Sequence, residues 1–375
     1  MCVKTMEQEP NHTPEKPHRS IADRSDVFYW QTDRAVEPVE AGRIWADRHR
    51  YFTDAEIVER VNRELNGEKL VDIEPLDLES QTNLGNVNSV RTGRLSSGNE
   101  VIIRSHPKGV ENGYFHAEAS AAKLAKSTGL PSYDTLAIHD YTGGDDFSFH
   151  VIEKLPGVAI KKWLEKHPES ESQLLPKIGM MMARLHQIPV AGFGPFDNEK
   201  AKNGNLVGIH QSLSDAVRAG LVFNIDVLTK QGILTGAQAV SVAKVFENNP
   251  LLELDQAVLV HNDFADWNLL TDGQDVTGVL DWDECVAGSP IGDIACWSTF
   301  FAPERLEKFL EGYWQIAEKP DDFSEKFELF RLRYVLSKMT LRTRRYSWEP
   351  SDSMKEKIET GKIHLAQSMK HFDIS

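Results

Sequence analysis

Residues 261–283 read His261-Asn262-Asp263-Phe264-Ala265-Asp266-Trp267-Asn268-Leu269-Leu270-Thr271-Asp272-Gly273-Gln274-Asp275-Val276-Thr277-Gly278-Val279-Leu280-Asp281-Trp282-Asp283. Leu269 and Leu270 start a strand, residues 271–275 have the composition of a turn, and 276–280 return as a second strand, so this segment predicts one β-hairpin. A hairpin folds its two outer ends together. Asn268 and Asp281, thirteen positions apart, then face each other as oxygen donors. Such a pair suits Mg2+, a hard cation that takes few protein ligands and keeps water and phosphate in its other positions. Asp263, five positions before Asn268, sits one loop away and is placed to take a proton.

An Asp that orients or deprotonates a hydroxyl, an Asn five residues on that binds metal, and a later Asp that bridges metal to phosphates follow the catalytic order of kinases. His-Asn-Asp replaces the His-Arg-Asp of protein kinases, and Asp281-Trp282-Asp283 replaces Asp-Phe-Gly. With His-x-Asp-x-x-x-x-Asn followed by a hydrophobic strand ending in Asp-Trp, the chain resembles the aminoglycoside phosphotransferase and choline kinase superfamily. Val279-Leu280-Asp281-Trp282-Asp283-Glu284 and Gly288-Ser289-Pro290-Ile291-Gly292-Asp293-Ile294-Ala295 continue the match, which covers roughly residues 71–295.

The resemblance implies an α+β, protein-kinase-like fold of two lobes: a small antiparallel sheet, then a mostly helical part. It implies transfer of a phosphoryl group from ATP or GTP, with Mg2+, to a hydroxyl on a small molecule. Asp263 would be catalytic, and Asn268 and Asp281 would hold the metal. His261 would prop the loop, and Asp293 would accept backbone N–H bonds from it. Gly192-Phe193-Gly194-Pro195-Phe196 looks like the aminoglycoside-type members, the hygromycin phosphotransferase branch among them, and this makes an aminoglycoside-type antibiotic or amino sugar the expected acceptor. The same signature serves kinases of choline, homoserine, methylthioribose, amino sugars and macrolides, so a metabolic kinase is the alternative. A catalytically silent nucleotide-binding fold is a third reading, opposed by the intact Asp263, Asn268 and Asp281.

Composition agrees with an enzyme outside membranes. The 375 residues are 40% apolar and 26% charged, enough for at least two cores, and no run approaches a membrane span. Residues 1–25 are polar, contain no apolar segment to act as a signal sequence, and are expected to be a mobile tail. Cys2, Cys285 and Cys296 have neither disulfide-framework nor metal-site spacing, the pattern of a reducing cytoplasm. A formal charge of -15 disfavours nucleic acid and suits a cationic small molecule, while also serving solubility alone.

Thr53-Asp54-Ala55-Glu56 has the form of a capping box, and Ile57, Val58, Val61 and Leu65 follow at helical spacing before Gly67. Strands are expected over 71–76, 89–95 and 100–104, a helix over 114–128, and another strand over 147–153. Lys154-Leu155-Pro156-Gly157 breaks that strand. Beyond it, 174–188, 303–317 and 323–345 read as helices around the catalytic hairpin. The expected division is therefore a tail (1–25), an N-terminal extension with a nucleotide-binding small lobe (26–155), and a helical large lobe (156–375). Residues 26–51, with Phe28-Tyr29-Trp30 and Trp45, lie outside the family core and suggest no function.

The nucleotide half of the site is written less sharply. Leu84-Gly85-Asn86-Val87-Asn88-Ser89 either lets backbone N–H groups approach phosphates, with Gly85 giving access, or is an ordinary turn. Arg104 ends a strand where kinases carry a lysine for the α and β phosphates, and it keeps the charge while adding a planar fork. Glu118, on the following helix, is its natural ion partner or else lies on a solvated face. By the resemblance, Glu153 to Leu155 offer backbone groups to the purine. His186 reads as a packed helix residue. Arg331, Lys338, Arg342 and Arg345 read as a solvated face, Asp266 either touches substrate or faces water, and Asp283 and Glu284 are candidates for substrate contact.

Overall fold

A computed structural model describes residues 52–76, 88–106, 112–144, 146–348 and 350–375. The expected tail, the 26–51 segment and Gly85 lie outside the described residues. The first helix, α1 (Asp54–Glu64), starts with the full capping box: Thr53 accepts from the Glu56 N–H and the Glu56 carboxylate accepts from the Thr53 N–H. Five strands follow, β1 (Leu70–Pro75), β2 (Ser89–Leu95), β3 (Glu100–Ser105), β4 (Thr135–His139) and β5 (Phe149–Glu153). They form one antiparallel sheet in the order β1-β2-β3-β5-β4.

Alternation along β3 decides what each face of this sheet does. Val101 and Ile103 are buried with Phe147, Phe149 and Val151 against Phe52, Ile57 and Val61 of the α1 side. Arg104, one position out of phase, points to the other face, where α2 (Phe115–Ser127) lies. That helix is built on alanine, the residue that favours a helix most, and its Ala117, Ala121, Ala122 and Ala125 are all buried. Its N-terminal N–H groups lack intrahelical partners. Asn112 accepts from Phe115, and Asn198, from a distant turn, accepts from His116 and Ala117. The large lobe thereby caps the helix that carries Glu118.

After the 154–157 break come β6 (Val158–Ala159), α3 (Ile160–Lys166), α4 (Glu171–Leu185), β7 (Pro189–Val190), β8 (Phe193–Phe196), α5 (Asn198–Ala201), β9 (Gly208–His210), α6 (Leu213–Arg218), α7 (Leu221–Lys230) and α8 (Gly236–Val245). The chain continues through β10 (Ala257–Val260), β11 (Leu269–Thr271), β12 (Val276–Val279), β13 (Val286–Gly288), α9 (Pro290–Ser298), α10 (Pro303–Tyr313), α11 (Phe323–Trp348) and α12 (Asp352–His371). Strand β10 is an inner strand, between β7 and β13, in a second sheet ordered β7-β10-β13-β8-β9. The hairpin β11–β12 pairs with β6, with Leu270 opposite Ala159, which sets it directly beyond the link between the lobes. Gly157, with φ +115°, lies so close to Thr271 and Thr277 that a Cβ would collide with them. Helices α4 and α10 meet backbone to backbone: a side chain at Gly179 would run into the Phe309 carbonyl, and one at Gly312 into that of Pro176.

The sequence reading missed β4, of five residues, and the second sheet, whose strands run from two to four residues. It also placed Lys338 on a solvated face with Arg331, Arg342 and Arg345. Lys338 is instead buried, its Nζ donating to Thr299 Oγ1 at 2.7 Å and lying 3.1 Å from the centre of the Phe300 ring. No helix among the described residues is long and apolar enough to cross a membrane.

Candidate active site

Strand β10 delivers His261, and the loop that follows is held from three sides. Asp293, on α9, accepts the His261 N–H at 2.9 Å and the Asn262 N–H at 3.0 Å with its two carboxylate oxygens. His186, at the end of α4, donates from Nε2 to the same carboxylate at 3.1 Å, so its Nδ1 accepts from the Tyr313 hydroxyl at 2.7 Å. His261 donates from Nε2 to the Leu280 carbonyl at 3.0 Å, while its Nδ1 lies 3.3 Å from the Asp263 N–H. The imidazole is thereby spent on joining the loop to the hairpin.

The hairpin brings Asn268 beside Asp281, because the Leu280 N–H donates to the Asn268 carbonyl at 2.8 Å and Leu269 stands opposite Val279. Asn268 Nδ2 donates to the Asp263 carboxylate at 2.8 Å and to its carbonyl at 2.9 Å. With the amide nitrogen committed to Asp263, the amide oxygen is the donor left for a cation. Asp281 has a left-handed backbone, φ 61°, and its side chain keeps 40% exposure. Asn268 Oδ1 and the Asp281 carboxylate are both oxygen donors, a pair that fits Mg2+ sharing its shell with phosphate and water. Among the described residues no group of three or more His, Cys, Asp and Glu is placed to hold a metal, so the fit rests on these two oxygen donors with phosphate and water completing the shell.

From the small lobe, Arg104 reaches this point. Its Nη2 donates to Asp281 Oδ1 at 2.7 Å and lies 3.8 Å from Asp283 Oδ2, while its Nη1 pairs with Glu118. Glu118 is fully buried, not on a solvated face, and also accepts from the Tyr133 hydroxyl at 2.5 Å. Burial alone would raise its carboxyl; Arg104, the Tyr133 hydrogen bond and the neighbouring His150 ring, 3.8 Å away, outweigh that and bring it down to about 2. Of the glycine-bearing loop, Asn88 faces inward onto His106 and Tyr114, and Ser89 accepts from Arg91. Glu153 and Leu155 stand where the small sheet ends; the Glu153 carboxylate is held by Lys126 Nζ at 2.9 Å, and its N–H donates to the Asp134 carbonyl.

Asp266 does not face water. It is 4% exposed, and its Oδ2 accepts from Arg305 Nη2 at 2.7 Å, while its carbonyl accepts from the Lys161 N–H. Arg305 also pairs with Glu171 at 2.9 Å and lies over Phe301, so Asp266 ties the catalytic loop to α4 and α10. Burial pushes its carboxyl above the usual range against the pull of Arg305. Asp283 and Glu284 are half-buried in the turn after Asp281. The sequence reading did not single out Arg305 or Trp267. Trp267, 41% exposed beside Asp263 with Nε1 3.4 Å from Oδ2, was visible as an aromatic residue inside the motif; Arg305 carried no local signal.

No curated protein matches the sequence. Among solved structures, the chain is similar to a thermostable mutant of aminoglycoside phosphotransferase APH(4)-Ia in ternary complex with AMP-PNP and hygromycin B. That likeness has 18% identity and a TM-score of 0.58, over 83% of this chain and 99% of that one. A putative fructosamine-3-kinase from Thermobifida fusca YX-ER1 gives 16% identity and a TM-score of 0.58, over 84% of this chain and 100% of that one. The gentamicin complex of APH(2")-IIa gives 17% identity and a TM-score of 0.52, over 87% and 100%. At these identities the likeness carries the fold, the kinase-like arrangement of a small antiparallel sheet and a helix-rich remainder. The family model described as "Phosphotransferase enzyme family" matches residues 81–328, two-thirds of the chain and all of the site just described, and the chain belongs to that family.

Proposed function

We propose that this protein transfers the γ-phosphoryl group of ATP or GTP to a hydroxyl of a small molecule bearing amino groups, an aminoglycoside-type antibiotic or an amino sugar. The observation that carries the reading is Asn268, whose amide nitrogen fixes the Asp263 carboxylate while the hairpin sets the same residue next to Asp281. In the reaction the acceptor oxygen bonds to the γ-phosphorus, the bond from that phosphorus to the β-bridging oxygen breaks, and the hydroxyl proton passes to Asp263. Asn268 Oδ1 and the Asp281 carboxylate are the groups that would hold Mg2+, and the ion, when bound, would neutralise triphosphate charge. Arg104, held by Glu118, would steady the phosphates, with the backbone from Glu153 to Leu155 at the purine and Gly85 near the phosphates.

Residues 26–155 would then supply the nucleotide lobe and 156–375 the catalytic and acceptor lobe. The amine preference rests on the charge of -15 and on the acidic residues of the motif, Asp263, Asp283 and Glu284, which would favour a cationic acceptor. Cys285 and Cys296, buried and not joined in a disulfide, suit a reducing cytoplasm. The test is release of ADP or GDP from Mg-ATP or Mg-GTP over aminoglycosides, amino sugars, neutral sugars and amino alcohols. Stimulation confined to aminoglycosides supports a resistance role, stimulation by ordinary cell amino sugars or amino alcohols a metabolic one. Intact nucleotide binding with silence across the panel overturns the reading in favour of a silent fold.

A further inference from the structure

Asn262 separates His261 from Asp263 and has φ +64°, a left-handed backbone that costs any residue but glycine. Asparagine visits this region more readily than other side chains, yet here its amide oxygen is turned outward to a distant partner. The Tyr334 hydroxyl, on the long helix α11, donates to Asn262 Oδ1 at 2.5 Å. Cys296 Sγ donates to the Asn262 carbonyl at 2.9 Å, and Asp293 takes the Asn262 N–H. Both ends of the Tyr334 bond are inaccessible to water, Tyr334 being 3% and Asn262 5% exposed. Side chain, N–H and carbonyl of one strained residue are therefore all anchored to α9 and α11. Rotation about Asn262 would swing Asp263, the next residue, out of line.

We propose that Tyr334 is a positioning residue for phosphoryl transfer, its hydroxyl holding Asn262 in the left-handed turn that aims Asp263 at the acceptor. The inference rests on Asp263 being the proton acceptor. It requires the hydroxyl and nothing else of the tyrosine, because the ring is packed independently on the core. It also requires that a residue at 262 able to adopt positive φ unaided make the hydroxyl dispensable.

The test is a set of four variants assayed for turnover and Michaelis constants with Mg-ATP and the best acceptor. Tyr334→Phe is expected to lower kcat about three- to tenfold, the scale of one lost buried hydrogen bond, with the nucleotide KM within about twofold. Asn262→Ala, which lacks the acceptor and strains the turn, is expected to lose at least as much. Asn262→Gly should recover most of that loss, and adding Tyr334→Phe to Asn262→Gly should change kcat less than about twofold. A general structural role for Tyr334 would instead give the same fold loss in both backgrounds, which would overturn the proposal. So would wild-type kcat in Tyr334→Phe, or equal activity of the Ala and Gly variants should Tyr334→Phe not fold. Wild-type enzyme that consumes no nucleotide overturns the phosphotransfer reading itself, and the positioning role with it, whereas an active wild type beside an unimpaired Tyr334→Phe overturns only the latter.

Discussion

Arg104 and Asp281, 177 positions apart, are joined by a 2.7 Å ion pair that links the third strand of the small sheet to the end of the β11–β12 hairpin. The same guanidinium is held from behind by buried Glu118. If Arg104 also meets the phosphates, Arg104→Ala is expected to raise the nucleotide KM and lower kcat together, with kcat/KM falling about ten- to a hundredfold for a lost charge-assisted contact. Arg104→Lys keeps the charge but loses the fork, and should recover part of the activity. Steady-state kinetics at saturating acceptor check this; an unchanged nucleotide KM in Arg104→Ala would move the phosphate anchor to the backbone of the loop around Gly85.

Glu118 makes a prediction about acid. Its carboxyl titrates at about 2 in the fold against 4.5 ordinarily, so its ionised form stabilises the protein above about pH 4.5, and that contribution fades as pH falls toward 2. Glu118→Gln leaves Arg104 without its buried partner and should cost about 3 kcal/mol near pH 7. The gap between the two proteins should narrow on acidification below pH 4.5. Urea denaturation from pH 7 to pH 3 measures it, and a gap independent of pH would contradict an ionised Glu118.

What could be read in the sequence was what lies close along it. The hairpin needed only a turn and two short apolar runs, and the capping box of α1 is complete within four residues. Arg104 followed from its place at the end of a strand where kinases carry a lysine. Contacts that close over long separations left no such trace: Asp266 with Arg305, 39 positions on, Asn262 with Tyr334, 72 on, and Asn198 capping α2 from 82 residues away. Glu118 was legible as an ion partner for Arg104, but its burial was not, because β3 and Tyr133 create it and its own neighbours along the helix do not. Strands of two to four residues, such as β7 and β8, are too short to show a period at all.

Asp266 is expected to hold its loop through Arg305 rather than to touch substrate. Asp266→Ala should destabilise the fold by about 3 kcal/mol, because among the described residues Arg305 then keeps the half-exposed Glu171 as its acidic partner. The acceptor KM of the folded enzyme should move less than about threefold. Thermal denaturation and acceptor titration separate the two; a large rise in acceptor KM with unchanged stability would restore the substrate contact.

Asp281 and Asn268 differ in charge, and their variants should differ accordingly. Asp281→Ala is expected to abolish Mg-dependent nucleotide binding, and Asn268→Ala to weaken it less, since a carboxylate bridging cation and phosphates contributes more than a neutral amide. Asn268→Ala should in addition lower kcat, because the Asp263 carboxylate loses its 2.8 Å donor. Calorimetric nucleotide titrations with and without Mg2+ test this; wild-type affinity independent of Mg2+ would contradict the assignment.

Proton transfer to Asp263 is the centre of the account, and Asp263→Asn isolates it, since the amide keeps the shape and removes the base. Single-turnover phosphoryl transfer by this variant, measured beside its equilibrium affinity for Mg-nucleotide, is the most direct test. The account predicts a rate lower by about a hundredfold or more with nucleotide affinity within a few fold of wild type. A rate near that of the wild type would remove Asp263 from the mechanism.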